Sequence, residues 1–224
     1  KLRNSLRITC LLLAAALLIA PARPAGARPI TPELRRLLGD PVRWSAYWHD
    51  QRDRPGDAYA CALYAQASVL EALGYDFEME LAAARVLGER DRWYTPTGGA
   101  YGLGQPLRAR GIAFAVFGSP LAEELTPSRA LLRLEYELAA GRLALVNVDA
   151  WRLAYYRGSP VRWHTLWITG LRRDEQGRAQ TIIANDSTRG PAVEYGVDEF
   201  LAACGSEFNY YAIFVRVPES SGGS

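Results

Sequence analysis

Cys61 is the residue of this sequence best placed to act as a nucleophile. It follows a polar, turn-rich stretch over residues 44–59 and stands at the start of a helix-forming run over residues 60–73. A helix N-terminus offers unpaired amide groups and a partial positive charge, and both favour the thiolate form of a cysteine. Because the thiolate is the reactive form, this position predicts a nucleophilic cysteine.

His164 is the candidate base for that nucleophile. The chain has two histidines, and His164 lies in the run 163–171, which is rich in β-branched and aromatic residues and predicts a strand. Cysteine–histidine chemistry needs an imidazole that is held firmly beside the sulfur, and a strand provides this better than a loop. The other histidine, His49, lies in the turn-rich stretch, where we interpret it as part of a solvated polar cluster.

Asp186 is the candidate third member of the site. It follows the predicted strand 178–184, so a pair of strands would carry His164 and Asp186 at neighbouring positions. Orienting the base is the role of the acid in such triads. The Asn-Asp-Ser sequence at this point is also common turn chemistry, and the two roles are compatible.

Cys204 opens a different interpretation of Cys61. Outside the first 27 residues these are the two cysteines of the chain, and in an exported protein two cysteines can form a structural disulfide. Such a bond would favour a structural or binding role for Cys61. A reactive thiol and a disulfide therefore both remain open at this point.

The first 27 residues have the pattern of an export signal. Three basic residues precede an apolar run over residues 8–20, and Ala25-Gly26-Ala27 supplies the small residues of a cleavage site. The apolar run is shorter than the ~20 residues that a spanning helix needs. We expect a periplasmic or extracellular protein with one domain over residues 28–219 and a flexible tail at 220–224. An uncleaved leader would instead anchor it to a membrane.

The composition indicates a globular protein and argues against nucleic-acid binding. Of the 224 residues, 49% are hydrophobic and 22% are charged, which suits a single buried core. Without the leader, 22 basic and 24 acidic residues remain, a net charge of −2. Nucleic-acid binding would require a basic excess. We expect a monomer with no metal and no cofactor.

Helix patterns come early in the chain and strand patterns late. Helices are predicted over residues 31–38, 60–73, 77–87, 103–108 and 126–141. Strands are predicted over residues 112–117, 143–148, 163–171, 178–184 and 208–217. The aromatic segment 151–163 is interpreted as an insertion that packs on the domain. This order predicts an α+β fold of two layers, with an N-terminal helical layer packed on a C-terminal antiparallel sheet.

Five segments together resemble a known family: residues 59–75, 95–111, 141–149, 164–170 and 185–200. They are similar to the peptidase-like domain that cleaves the double-glycine leaders of bacteriocins, within the papain clan. The similarity covers most of the chain from about Gln51 onward. The family order of cysteine, histidine and aspartate matches Cys61, His164 and Asp186. The resemblance implies a papain-like cysteine peptidase fold that hydrolyses a peptide or amide bond of a peptide or protein substrate.

The sequence departs from that family beside the cysteine. The family usually has glycine directly after the cysteine, where this chain has Ala62. It also has a glutamine a few residues before the cysteine that helps to hold the oxyanion. Pro55 occupies that region here, and Gln51 is the nearest upstream candidate for the role. Two alternatives use the same fold: a non-catalytic peptide-binding module, and an acyl transferase with the same triad.

Overall fold

A computed structural model describes residues 37–54, 56–57, 59–91, 103–119 and 123–217. The predicted export signal, Pro55, residues 95–102 of the segment 95–111, and the predicted tail lie outside these residues. Within the described part of the chain, no helix combines the length and the apolar content needed to cross a membrane.

The described residues form six α-helices and seven β-strands. The helices are α1 (Pro41–Ser45), α2 (Cys61–Ala72), α3 (Phe77–Asp91), α4 (Gln105–Ala109), α5 (Pro127–Ala139) and α6 (Val197–Gly205). The strands are β1 (Leu37–Gly39), β2 (Phe114–Phe117), β3 (Leu143–Asp149), β4 (Trp163–Arg173), β5 (Ala179–Asp186), β6 (Gly190–Gly196) and β7 (Ala212–Val215). This confirms the α+β class.

All seven strands belong to one antiparallel sheet. Its order is β2-β7-β3-β4-β5-β6, and β1 pairs with the last part of β4. The strand β4 pairs with β3 over its first six residues and with β5 from Trp167 onward. His164 therefore lies at the beginning of an interior strand, with Val148 of β3 as its direct partner.

Helices cover both faces of the sheet. Leu145 of β3 and Ile213 of β7 pack in a cluster with α2 and α4. Their neighbours along the strands, Val146 and Phe214, point to the other face and pack in a second cluster with α5 and α6. The prediction of two layers was therefore wrong, because the sheet is the middle of three layers. All seven residues of β3 are buried, as expected for a strand enclosed on both sides.

The helix α2 lies between the sheet and α3. Ala62, Ala65 and Val69 belong to the cluster with the sheet, whereas Leu63 and Ala67 pack against α3. Small side chains on both sides let the helix approach its two neighbours closely. Gly74 adopts a φ of +95° directly after the helix, a conformation that suits glycine and ends the run where the sequence predicted.

The predicted helix 31–38 was wrong at its described end, where Leu37 and Leu38 are extended and pair with β4. Gly39 has a φ of +80° and its Cα faces the backbone of Thr169, where a Cβ would lie 2.3 Å from the carbonyl oxygen. Only glycine fits this approach, so the chain turns here into α1, which Asp40 caps. Pairing with β4 overrides the local helix preference.

The C-terminal part differs from the prediction in three places. The strand predicted over residues 208–217 is shortened to β7, because Asn209 and Tyr210 adopt positive φ values of 45° and 60° in a turn. The strand β6 and the helix α6 were not predicted. Four of the nine residues of α6 are buried in the cluster on its face of the sheet.

Candidate active site

Cys61 is the first residue of α2, as its position in the sequence predicted. The amides of Leu63 and Tyr64 donate to the carbonyl of Ala60 at 2.9 and 3.0 Å, which starts the helix one residue before the cysteine. As a residue Cys61 is partly accessible to solvent, in contrast to residues 62–70 of α2, which are buried. A nucleophile must be reachable by its substrate, and this position meets that requirement.

The loop before Cys61 is fixed by a buried carboxylate. The Asp57 carbonyl accepts from the amide of Ala60 at 2.9 Å, and its side chain accepts from the Tyr64 hydroxyl at 2.7 Å. Arg85 of α3 forms an ion pair with the same carboxylate. These contacts tie the loop to α2 and α3, so the start of the cysteine helix has a defined position.

His164 is completely buried at the beginning of β4, and its two ring nitrogens have different surroundings. Nε2 lies 2.9 Å from Oδ1 of Asp186. Nδ1 is buried without a nitrogen or oxygen partner among the described residues. The Cys61 sulfur interacts with the ring but does not meet the geometry of a full hydrogen bond, as is common in unliganded active sites. The histidine therefore connects the cysteine with the aspartate.

Asp186 ends β5 and lies on the same stretch of sheet as His164. Its predecessor Asn185 pairs with Trp167, so Asp186 is a diagonal neighbour of His164 across the two strands. The predicted proximity of the two side chains is confirmed. The indole of Trp48 donates to the Asp186 carbonyl at 2.6 Å and so fixes the end of the strand.

Two tyrosines donate to the Asp186 carboxylate. The Tyr156 hydroxyl lies 2.8 Å from Oδ1 and 2.7 Å from Oδ2, and the Tyr195 hydroxyl lies 2.5 Å from Oδ2. The backbone amide of Thr188 donates to Oδ1 at 2.9 Å. The carboxylate is fully buried and is satisfied by the protein alone.

The surroundings of Cys61 favour its thiolate. Burial raises the pKa of the Cys61 thiol, but the positive charge of His164 acts in the opposite direction. The close approach of the His164 ring and the backbone amides of Thr165 and Ala62 act in the same direction, and the pKa of the thiol lies below its usual value of 9.0. This is the pattern of a reactive cysteine.

His164 and Asp186 are both stabilised in their charged forms. Burial lowers the pKa of His164, but the charges of Asp186 and Cys61 outweigh it and raise the pKa to about 10. Burial raises the pKa of Asp186, whereas the charge and hydrogen bond of His164 and the two tyrosines hold it well below its usual value. The surroundings therefore shift all three groups toward their charged forms: a thiolate, an imidazolium and a carboxylate.

Gln51, the candidate oxyanion residue, lies in a short 3₁₀ turn and is buried. Its Oε1 accepts from the hydroxyl of Ser187 at 2.6 Å, one residue after Asp186. Its Nε2 donates to the Asp57 carbonyl at 3.1 Å, in the loop before Cys61. Gln51 therefore links the two segments that carry the cysteine and the aspartate.

His49 lies apart from the triad. Its Nε2 is 2.7 Å from the Glu71 carboxylate at the far end of α2, and its ring stacks on Phe77 with the centroids 3.5 Å apart. The side chain is about one-third exposed. The interpretation as a solvated cluster was therefore only partly right, because the stacked ring also closes the junction between α2 and α3.

Cys204 also lies apart from Cys61, and both are free thiols. It is buried in α6, within the cluster on the other face of the sheet, where it lines an apolar cavity of about 20 Å³. Burial raises the pKa of the Cys204 thiol well above its usual value. The structure therefore favours the reactive-thiol interpretation of Cys61 over the disulfide.

The sequence did not indicate Tyr156, Tyr195 or Trp48 as parts of the site. Tyr156 lies in the segment that we interpreted as a packing insertion, and it belongs to a 3₁₀ turn there. Tyr195 lies in β6 opposite Ile182. Because the three residues come from separate elements and meet only at Asp186, no spacing rule connects them.

The described residues contain no group of three or more His, Cys, Asp or Glu side chains that could hold a metal ion. A groove of about 410 Å³ is lined by β1, α1 and the end of α5. It reaches Thr169 of β4, which is five residues from His164 or about 16 Å along the strand. This groove is separate from the triad.

No protein-family model matches the chain, and no curated protein sequence matches it. The function is therefore inferred from the geometry of the site.

Proposed function

We propose that this protein is a cysteine hydrolase that cleaves a peptide or amide bond. The main support is the connected series of Cys61, His164 and Asp186, in which the histidine bonds to the aspartate at 2.9 Å and faces the cysteine. The lowered pKa of the Cys61 thiol and the raised pKa of His164 are what an activated cysteine requires. A structural cysteine has no need of either.

In the proposed reaction the Cys61 thiolate attacks the carbonyl carbon, and the carbonyl electron pair moves to the oxygen. His164 gives its proton to the leaving amine as the C–N bond breaks, which leaves a thioester on Cys61. His164 then takes a proton from water, and the hydroxide releases the acid and restores the thiolate. Asp186 remains a carboxylate throughout and orients the ring.

The oxyanion would be held by the backbone amide of Cys61 and by Gln51. The first turn of a helix supplies amides that lack carbonyl partners within the helix. Ser187 anchors the Gln51 side chain, and a donor for the oxyanion must be fixed before the reaction begins. Losing one such donor typically costs a factor of ~10²–10³ in rate.

We further propose that the α+β arrangement is a papain-like fold and that the protein acts after export as a monomer on a peptide or protein substrate. The support is a cysteine at the N-terminus of a buried helix packed on an antiparallel sheet that carries the histidine. Residues 1–27 have the composition of an export signal. The net charge of −2 without them argues against a nucleic-acid substrate.

Turnover of a diverse peptide and amide library tests the activity. We expect cleavage by the wild-type chain, no cleavage by Cys61→Ala, and unchanged cleavage by Cys204→Ala as the matched control. Intact-mass spectrometry should detect the acyl group on Cys61 during turnover. Cleavage that survives in Cys61→Ala would contradict the proposal, and added amines that intercept the acyl group would indicate transfer rather than hydrolysis.

One observation favours a peptide-binding module as the second candidate. The Gln51 side chain joins Ser187 to the Asp57 carbonyl, which gives it a structural role that does not depend on an oxyanion. A binding module would retain peptides in the same library without cleaving them. Equilibrium binding with no product and no acyl-enzyme would support that candidate.

A further inference from the structure

The Asp186 carboxylate is surrounded by hydrogen-bond donors. His164, Tyr156, Tyr195 and the Thr188 amide all point at its two oxygens, at 2.5–2.9 Å. The Thr188 hydroxyl lies 2.9 Å from Oδ1 and also contacts the Tyr156 hydroxyl. An ionised carboxylate accepts at about four lone-pair positions, whereas a protonated one carries a hydrogen at one of its oxygens. The arrangement therefore favours the ionised form.

The two phenols approach from separate elements. Tyr156 belongs to a 3₁₀ turn before β4, and its ring lies 5.2 Å from the His164 ring. Tyr195 belongs to β6, on the other side of β5. Both are fully buried, so neither hydroxyl can exchange its carboxylate partner for solvent.

We propose that Tyr156 and Tyr195 are positioning residues that keep Asp186 ionised and fix its Oδ1 against Nε2 of His164. This inference rests on the proposed cysteine hydrolase function. The tyrosines act on Cys61 only through Asp186 and His164. They are therefore not catalytic residues, and they touch neither the sulfur nor the leaving group.

Replacing both phenols by phenylalanine leaves the carboxylate buried with fewer donors. A buried carboxylate that loses donors takes up a proton more readily, so the pKa of Asp186 rises. Once neutral, Asp186 no longer stabilises the imidazolium of His164, and the thiolate loses its counter-charge. The pH range over which Cys61 gains reactivity, as its thiolate forms, should then move to higher pH.

Three other charged groups influence this part of the site. Arg52 and Asp50 form an ion pair at 2.5 Å, and both act on Asp186 through their charges. Arg189 lies over the Tyr156 ring, 4.7 Å from its centroid. Replacing tyrosine by phenylalanine changes none of these groups, so a shift can be assigned to the lost hydroxyls.

The test is the pH dependence of Cys61 alkylation by iodoacetamide in the wild type and in Tyr156→Phe, Tyr195→Phe and the double variant. We expect the pH at which the alkylation rate is half-maximal, the midpoint, to be about one unit higher in the double variant than in the wild type. At a pH below both midpoints this corresponds to a tenfold lower rate. Each single variant should show a smaller rise. Tyr210→Phe is the matched control, because it removes a buried phenol whose hydroxyl lies beside Gly205 of α6 and does not contact Asp186. Its midpoint should equal that of the wild type.

The outcomes separate this inference from the function on which it rests. A low wild-type midpoint that is unchanged in every folded tyrosine variant would overturn the role of the tyrosines alone. A wild-type midpoint at the ordinary thiol value would overturn both proposals. If the double variant does not fold, the single variants decide the question, and unmoved midpoints in both would overturn the inference.

Discussion

Cys61 and Cys204 occupy opposite ends of their helices. Cys61 is the first residue of α2, where the helix dipole is positive, and Cys204 is the penultimate residue of α6, where it is negative. Cys61 faces His164, whereas Cys204 is surrounded by apolar side chains. The pKa of the first thiol is lowered and that of the second is raised.

The difference shows what burial alone does to a thiol and what a charged partner adds. Burial raises the pKa at both cysteines. Only at Cys61 do an imidazolium and backbone amides outweigh it. Being a cysteine therefore does not make a residue reactive. The position at a helix N-terminus and the charged partner there determine its reactivity.

The largest expected effect is in alkylation of the two thiols. Iodoacetamide at pH 6.5 should modify Cys61 more than ~100-fold faster than Cys204, because rate follows the thiolate fraction and accessibility. Peptide mapping by mass spectrometry gives both rates in one sample, and unfolding in urea should remove the difference. Equal rates in the folded protein would contradict the comparison.

The next effect separates the two histidines. His164→Ala removes the positive charge beside Cys61, so the pKa of the thiol should rise and its alkylation at pH 6 should slow ~10–100-fold. His49→Ala is the control, because His49 pairs with Glu71 at the other end of α2. In His49→Ala the alkylation rate of Cys61 should equal that of the wild type. A rate that is the same in both variants would exclude His164 as the partner.

Substitutions of Cys204 should change the stability of the fold and leave the reactivity of Cys61 unchanged. Cys204→Ser places a hydroxyl in an apolar cluster and should lower the free energy of unfolding by about 1–3 kcal/mol. Cys204→Ala, which enlarges the neighbouring cavity without adding a polar group, should cost about 1 kcal/mol. Urea unfolding measures both changes. Alkylation of Cys61 should be unchanged in either variant, and a slower rate would show that the two sites are coupled.

The elements that carry the triad could be predicted because their signals are local. The start of α2 follows from a helix-forming run after turn residues, and β4 and β5 follow from runs of β-branched and aromatic residues. The contact of His164 with Asp186 then needs only that neighbouring strands pair. The catalytic role of the three residues stays a prediction.

The remaining features depend on contacts between distant segments. β1 is extended because it pairs with β4, about 130 residues later in the chain, which no local pattern reports. Tyr156 and Tyr195 meet only at Asp186, and Ser187 reaches Gln51 from the opposite end of the sequence. Polar clusters of this kind require the three-dimensional arrangement before their members can be recognised.

A further expected effect is in the pH dependence of stability. The raised pKa of His164 stabilises the folded state fully below 6.5, and this contribution is lost as the pH rises through about 10. The lowered pKa of Cys61 stabilises it above 9.0, and this contribution is lost as the pH falls through the folded value. Between 6.5 and 9.0 a folded thiolate–imidazolium pair and an unfolded thiol–imidazole pair each hold one proton. The pair therefore does not make the free energy of unfolding change with pH in this range.

In Cys61→Ala the free energy of unfolding should depend on pH in this range. Without the thiol, the folded state still holds the proton of His164, because Asp186 keeps the pKa of the ring raised, and the unfolded state releases it above pH 6.5. The free energy of unfolding should then fall, relative to the wild type, by up to about 1.4 kcal/mol per pH unit. Urea unfolding at several pH values measures it, with Cys204→Ala expected to run parallel to the wild type. A parallel curve for Cys61→Ala would mean that the folded protein holds a neutral thiol and a neutral imidazole.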